Sequence, residues 1–187
     1  MVFVRKRISI DEFEAFIQQP ENADKLFEYI AGELYEVPSN PYVSAIASLI
    51  NFFILQFIRE NDIKGYVTGE AGGYMVSGER YAPDVAFISS IKQATLAETG
   101  YNPASPDLAV EVMSPNDDNN KLRAEVFNYT LAGTVVWVVN PKAHTVEVYV
   151  PGQPMQTYTV DDVLDGGDVL PKFTLPVKGI FPPKADS

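Results

Sequence analysis

Residues 107 to 129 read DLAVEVMSPNDDNNKLRAEVFNY, and this stretch contains a short apolar run, a polar turn and a helical pattern. The apolar run predicts a strand over 107–113, and the segment after the turn predicts a helix from about Asp117 to Ala132. Glu111 lies in the middle of the strand. Since an unpaired carboxylate is costly to bury, either a cation pairs with Glu111 or this side chain lies on a solvated face of the sheet.

Helical and strand patterns continue on both sides of this stretch. A capping box at Ser9 predicts a short helix over 10–18, and a long apolar helix is predicted to end near Asn61. Residues 89–106 have the pattern of a loop. The predicted strands are a hairpin in KLFEYIAGELYEVP, a second hairpin of GYVTGEAGGYMV and YAPDVAFI, a buried strand TVVWVVN paired with TVEVYV, and an edge strand in MQTYTV. This succession predicts an α/β fold with a mixed β-sheet flanked by helices.

Length and composition limit the possible classes of protein. At 187 residues the chain is expected to form a single domain, residues 1–187, with a full core. It contains no cysteine, which excludes a disulfide, a thiolate nucleophile and a Cys-based zinc site, and its one histidine, His144, lies in a predicted turn. The formal net charge of −11 argues against a general nucleic-acid binder, because phosphate contacts need clustered Lys and Arg. It does not exclude a divalent-metal site, since a bound cation reverses the local sign of charge.

The most apolar segment covers residues 42–58. It is shorter than the roughly 20 residues of a membrane span and is interrupted by polar side chains, so it is predicted to be a core helix. No membrane span or signal peptide is expected, which favours a cytoplasmic protein. Phe52 and Leu55 widen the apolar stripe beyond what one sheet face needs, and this predicts a homodimer.

Two acidic residues occur in similar settings. Asp84 follows Pro83 at the start of the VAFI run, and Glu111 lies inside LAVEVM. If the two strands pair, these carboxylates converge, and two oxygen ligands plus water are what Mg²⁺ typically takes from a protein. The alternative is that Asp84 is a turn residue bonded to nearby backbone amides and Glu111 a surface strand residue.

An ordered series of motifs favours the metal-site interpretation. The motifs cover most of residues 25–181 and are FEYIAGELYEVP, APDVAFI, PDLAVEVMSPND, YTLAGTVVWVVNP and LDGGDVLPKFTLPV. In this series the chain resembles the Uma-type putative restriction endonuclease family, a bacterial group assigned to the PD-(D/E)xK nuclease superfamily. The resemblance implies a restriction-endonuclease-like core, with Asp84 as the acid of the PD element and Glu111 as the second metal ligand. It also implies an auxiliary glutamate in the first hairpin, where Glu33 takes that place and Glu28 is nearby.

The lysine of the motif is where this chain departs from the pattern. Met113 occupies the position two residues after the second acid, where the plain motif has its lysine. The family usually places that lysine on the following helix, at the position of Glu125, while the acid commonly found one turn earlier is replaced here by Lys121. Both residues still share one helical face. Lys121 and Glu125 are therefore either parts of a site with exchanged charges or a solvated helix pair worth about 0.3 to 0.5 kcal/mol.

These observations leave two functions open. The first is an endonuclease that hydrolyses DNA with Mg²⁺ or Mn²⁺, in which Asp84 and Glu111 hold the metal and Lys121 orients the water or the phosphate. The second is a catalytically impaired nuclease-fold protein that serves as a binding or assembly module, which the exchanged pair and the net charge favour. A serine hydrolase has little support, because the chain contains no G-x-S-x-G motif.

Overall fold

The computed structural model describes residues 7–22, 27–36, 40–114 and 119–183. The helices are α1 (Ile10–Ile17), α2 (Pro41–Glu60) and α3 (Asn119–Leu131), with 3₁₀ turns at Pro20–Asn22 and Val177–Ile180. The strands are β1 (Phe27–Ile30), β2 (Glu33–Glu36), β3 (Gly65–Gly69), β4 (Tyr74–Val76), β5 (Glu79–Tyr81), β6 (Val85–Ser89), β7 (Leu108–Val112), β8 (Val135–Asn140), β9 (Thr145–Tyr149), β10 (Gln156–Tyr158), β11 (Val163–Asp165) and β12 (Thr174–Pro176).

A six-stranded mixed sheet with the order β10-β9-β8-β7-β6-β3 forms the centre of the fold. Strands β7 and β8 are parallel, and the other neighbours are antiparallel. Parallel neighbours need a crossover connection, and α3 provides it. The predicted strand and helix of residues 107–129 are therefore confirmed, and β10 is the predicted edge strand. The predicted start of the helix at Asp117 lies outside the described residues, as does the segment 115–118.

The two faces of this sheet have separate cores, because successive strand residues point to opposite sides. Val85, Phe87 and Val110 face α2 and the C-terminal segment, which contains β11, β12 and the last 3₁₀ turn. Ala86, Ile88 and Ala109 face α3 and the smaller sheet. By this alternation Glu111 shares the face of Ala109, so it lies on the α3 side.

The smaller sheet has the order β2-β1-β5-β4. Its first hairpin turns at Ala31 and Gly32, both with positive φ, as the sequence predicted. Its second hairpin turns at Ser77 and Gly78, which also have positive φ.

The second hairpin corrects the sequence prediction in part. Each of the two predicted runs is divided between the two sheets, since β3 and β6 pair in the large sheet and β4 and β5 pair in the small one. The first run breaks at Gly72 and Gly73, where a Cβ on Gly73 would clash with the Tyr101 ring. The second run breaks at Pro83, which has no N–H to donate to a ladder. The chain changes sheets at these two positions.

Helix α2 covers one face of the large sheet. The side chain of Asn40 caps it by accepting hydrogen bonds from the amides of Tyr42 and Val43. Ile46, Ile50 and Ile54 are fully buried against the sheet, which supports the core-helix prediction.

Helix α2 has 20 residues and is therefore longer than the apolar segment 42–58 that the sequence predicted to be too short for a membrane span. In the part of the chain that the structure describes, α2 has the length and apolar composition of a membrane span, and 28% of its most apolar window is buried. Phe52 on its outer side is 56% exposed. The predicted second subunit over this surface stays a prediction.

Candidate active site

Asp84 and Glu111 lie beside each other on the α3 face of the large sheet. Strands β6 and β7 are antiparallel with Val85 opposite Val110, so Asp84, one residue before β6, lies opposite Glu111. The Asp84 Oδ2 accepts a hydrogen bond of 2.7 Å from the backbone N–H of Val112. The structure thus brings together the two acids that the sequence selected, and their role as metal ligands stays a prediction.

Glu28 of β1 is a third carboxylate at this position. It is 4% exposed, and its Oε1 accepts a hydrogen bond of 3.2 Å from the backbone N–H of Ala82, two residues before Asp84. Glu33, the hairpin glutamate that the sequence favoured, instead accepts a hydrogen bond of 2.9 Å from the Tyr35 hydroxyl. Among the described residues, Glu28 and not Glu33 is the hairpin glutamate whose charge acts on Glu111.

Lys121 of α3 lies between Glu28 and Glu125. Its Nζ is 2.6 Å from Glu28 Oε2 and 3.4 Å from Glu125 Oε1, and it lies 5.1 Å from the centroid of the Tyr35 ring. The side chain of Glu125 is only 6% exposed and that of Lys121 is 25% exposed. The alternative of a solvated helix pair does not describe this arrangement, because both charges are largely withdrawn from water.

The carboxylate of Glu111 is the least compensated charge of the cluster. Its Oε1 is buried and has no hydrogen-bond partner among the residues that the structure describes. Burial raises the pKa of Glu111 well above its ordinary value, the charges of Glu125, Asp84 and Glu28 raise it further, and Lys121 opposes them. Glu111 therefore requires either a proton or a further cation at neutral pH.

Lys121 stays protonated in this setting. Burial alone would lower the pKa of its ammonium group, but the carboxylates of Glu28 and Glu125 outweigh that effect and raise the pKa above its ordinary value. Among the described residues, one permanent cation therefore lies among four carboxylates, those of Glu28, Asp84, Glu111 and Glu125. With all four ionised the carboxylates outnumber the cation, and a proton on Glu111 reduces that excess of negative charge without removing it.

Tyr129 connects the acidic cluster to the apolar core below it. It is fully buried, and it also lies next to the acids. Its pKa is raised by burial first and then by the charges of Glu111, Glu125 and Glu28. Its hydroxyl is near Glu111 without hydrogen-bond geometry, so it does not satisfy Glu111 Oε1. The residues next to Tyr129 in the sequence give no signal for this contact with the acids.

A divalent ion fits the pair Asp84 and Glu111. Within the described ranges, no group of three or more His, Cys, Asp or Glu side chains has the geometry to hold a metal ion. Mg²⁺, however, usually binds through one or two carboxylates and keeps several waters. The buried Glu111 Oε1 without a donor is the kind of oxygen that a cation would satisfy.

A mixed sheet flanked by helices is the fold expected of restriction-endonuclease-like proteins. The chain belongs to the Uma2 family, which is described as "putative restriction endonuclease" and whose family model matches residues 11–178. This confirms the resemblance found in the sequence. The family membership supports a nuclease function, and nucleases of this general type use divalent metals.

A solved structure shares the fold. The crystal structure of a putative nuclease belonging to DUF820 from Anabaena variabilis matches with a TM-score of 0.78 and 23% sequence identity. The match covers 93% of this chain and 97% of that chain. At this identity it supports the fold alone. The comparison with curated proteins gave no match.

Proposed function

We propose that the chain is an endonuclease that hydrolyses phosphodiester bonds of DNA with the help of Mg²⁺ or Mn²⁺. The observation that carries this proposal is the position of Asp84 opposite Glu111 on one sheet face, with a buried Glu111 oxygen that no described donor satisfies. The family membership supports the same reaction class. DNA is the substrate, and the cytoplasm is the expected location.

Each residue of the cluster has a role in this proposal. Asp84 and Glu111 would hold the metal ion, which when bound lowers the pKa of a water molecule and stabilises charge on the phosphate. The Val112 amide fixes the orientation of Asp84 through its hydrogen bond. Glu28 and Glu125 hold the Lys121 ammonium in place, and Lys121 donates hydrogen bonds that orient the attacking water or the phosphate.

Nicking of supercoiled plasmid DNA in the presence of Mn²⁺ tests this proposal. We expect cleavage by the unmodified protein and its loss in Glu111→Gln and Asp84→Asn, because each variant keeps the shape of the side chain and removes a charged ligand oxygen. Glu33→Gln is the matched control, since Glu33 lies in the same small sheet but bonds to Tyr35, and it should cleave normally. Equal cleavage by all four proteins would refute the assignment of the metal ligands.

A catalytically impaired binding module is the second candidate. It is favoured by the close pairing of Lys121 with two buried carboxylates, which leaves its ammonium less available for a phosphate. In that case the unmodified protein should not nick DNA. Restoring the family arrangement with Lys121→Asp plus Glu125→Lys should then create cleavage, because a lysine would occupy the position that the family uses.

A further inference from the structure

The four carboxylates of the candidate active site form two pairs. Asp84 and Glu111 lie opposite each other across β6 and β7. Glu28 and Glu125 come from different elements, the small sheet and α3, and Lys121 joins them with contacts of 2.6 and 3.4 Å. One pair therefore has a resident cation. The other contains the buried Glu111 Oε1, for which the described residues provide no donor.

A lysine ammonium resembles a small bound cation more closely than an arginine does. It is a compact charge with three donors, whereas a guanidinium is planar and extended. Two-metal nuclease sites hold their ions about 3.5 to 4 Å apart between shared carboxylates. Here the space between Glu28 and Glu125 is already taken by the Lys121 ammonium. A second divalent ion cannot enter there while Lys121 stays.

We infer that Lys121 is a built-in second cation, so that the site binds one divalent ion at Asp84 and Glu111 and Lys121 excludes another from Glu28 and Glu125. The inference rests on the proposed function, because it requires that the first pair binds a metal. It goes further by fixing the metal stoichiometry and by assigning Lys121 an effect that exists without DNA. It also explains why a positive residue is tolerated one turn before Glu125.

The inference predicts that removing Lys121 opens a second metal position. In Lys121→Met, Glu28 and Glu125 lose the Lys121 ammonium, and a divalent ion should bind between them in its place. The double variant Lys121→Met/Glu125→Gln loses one positive and one negative charge, so its net charge equals that of the unmodified protein. It also loses one ligand of the second position and should bind a single ion. The pair of variants thus separates a specific second position from a general effect of charge.

Equilibrium dialysis with Mn²⁺ in the absence of DNA provides the measurement. Buffer of about 0.15 M ionic strength screens the exposed acidic residues of this strongly negative chain. We expect one Mn²⁺ per chain for the unmodified protein, two for Lys121→Met and one for the double variant. In Lys121→Met, electron paramagnetic resonance should also show broadening from two neighbouring Mn²⁺ ions.

Loss of Lys121 removes the cation between two buried carboxylates, and this can prevent folding. Lys121→Gln is therefore measured in parallel, since its amide still donates to Glu28 but carries no charge, and it too should bind two ions. Circular dichroism with Mn²⁺ present establishes which variants are folded. If neither single variant folds, the stoichiometry of the unmodified protein decides, because one ion supports the inference and two overturn it.

The outcomes separate this inference from the proposed function. Two ions in the unmodified protein, or one ion in folded Lys121→Met and Lys121→Gln, would overturn the role of Lys121 as second cation and leave the nuclease proposal standing. No bound Mn²⁺ in the unmodified protein would overturn both. A loss of binding in Glu111→Gln, with one ion in the unmodified protein, would place that ion at the first pair.

Discussion

Helices α2 and α3 cover the two faces of one sheet, and they do so with opposite chemistry. α2 buries Ile46, Ile50 and Ile54 completely. α3 buries Glu125 and Tyr129, and it directs Lys121 at a carboxylate of the neighbouring sheet. Burial of each isoleucine on the α2 face stabilises the fold by about 1.5 to 3 kcal/mol.

Burial of charge on the α3 face has the opposite tendency. A buried ion pair usually stabilises a fold less than hydrophobic residues of similar volume do, because removing the ions from water is costly. The exception is a pair with very good geometry. A sequence selected only for stability would place apolar residues at Glu28, Glu111 and Glu125. The difference between the two faces indicates that the α2 side contributes more to stability and that the α3 side carries buried charges that stability alone does not favour.

The largest expected effect is the loss of stability after a substitution on the buried side of α2. Ile50→Ala removes fully buried methyl groups from the core and should lower the free energy of unfolding by about 2 to 5 kcal/mol. Urea denaturation followed by circular dichroism measures it. Gln56→Ala, on an exposed position of the same helix, is the control and should change stability by less than about 0.5 kcal/mol. Similar losses for both variants would show that α2 is not held by its buried face.

The second prediction concerns catalysis on the α3 side. Lys121→Ala should reduce Mn²⁺-dependent nicking by about 10² to 10³-fold, because the ammonium donors that orient the attacking water or the phosphate are lost. The rate of conversion of supercoiled to open-circular DNA measures it. Arg123→Ala on the exposed side of α3 is the control and should keep most of the activity. Unchanged nicking by folded Lys121→Ala would leave Lys121 without a catalytic role.

The sequence predicted the α2 side better than the α3 side, and the reason is physical. Apolar periodicity is a local property, so the spacing of the isoleucines was enough to identify the buried face of α2. Asp84 and Glu111 were also accessible to sequence reasoning, since two strands that pair bring them together. The partner of Lys121 was not accessible. Glu28 and Glu33 lie on the same face of the first hairpin, opposite Tyr35 and Ile30 respectively, and only the docking of this hairpin against α3 selects Glu28.

The second hairpin shows the same limit. Its turn at Ser77 and Gly78 was predicted from local residues and is present. The division of its strands between two sheets depends on the contact between Gly73 and Tyr101, which are far apart in the sequence. Patterns of neighbouring residues do not record such contacts.

The third prediction uses the pKa of Glu111. Because this pKa is raised in the folded protein, the folded state holds the proton more tightly than the unfolded chain does. The associated stability is full below the ordinary glutamate pKa of about 4.3 and is lost as the pH rises through the raised value. Glu111→Gln carries no such charge, so without metal it should be more stable than the unmodified protein above that range.

Thermal melting in metal-free buffer from pH 5 to pH 8 measures this effect. The gap in melting temperature between Glu111→Gln and the unmodified protein should widen as the pH rises. Glu33→Gln controls for the general effect of removing one negative charge from an acidic chain, and its curve should run parallel to that of the unmodified protein. Parallel curves for all three proteins would mean that the pKa of Glu111 is not raised in the folded protein.

The smallest expected effect on stability concerns the outer side of α2, where the comparison of the two helices is incomplete. Tyr42 and Phe52 are 41% and 56% exposed, so the helix that is most apolar towards the core also presents apolar surface away from it. A second copy of the chain would cover this surface in a symmetric dimer, the commonest closed oligomer.

Phe52→Glu should change the stability of the single chain by less than about 0.5 kcal/mol, since the side chain is exposed there. It should nevertheless convert a dimer to monomers, because it places a charge in an apolar interface. Multi-angle light scattering at several protein concentrations measures this change. Phe127→Glu on the exposed side of α3 is the control, since Phe127 is 65% exposed but lies on the other face of the sheet. A monomer for the unmodified protein at high concentration would remove the dimer, whereas dissociation by Phe127→Glu alone would move the interface from α2 to α3.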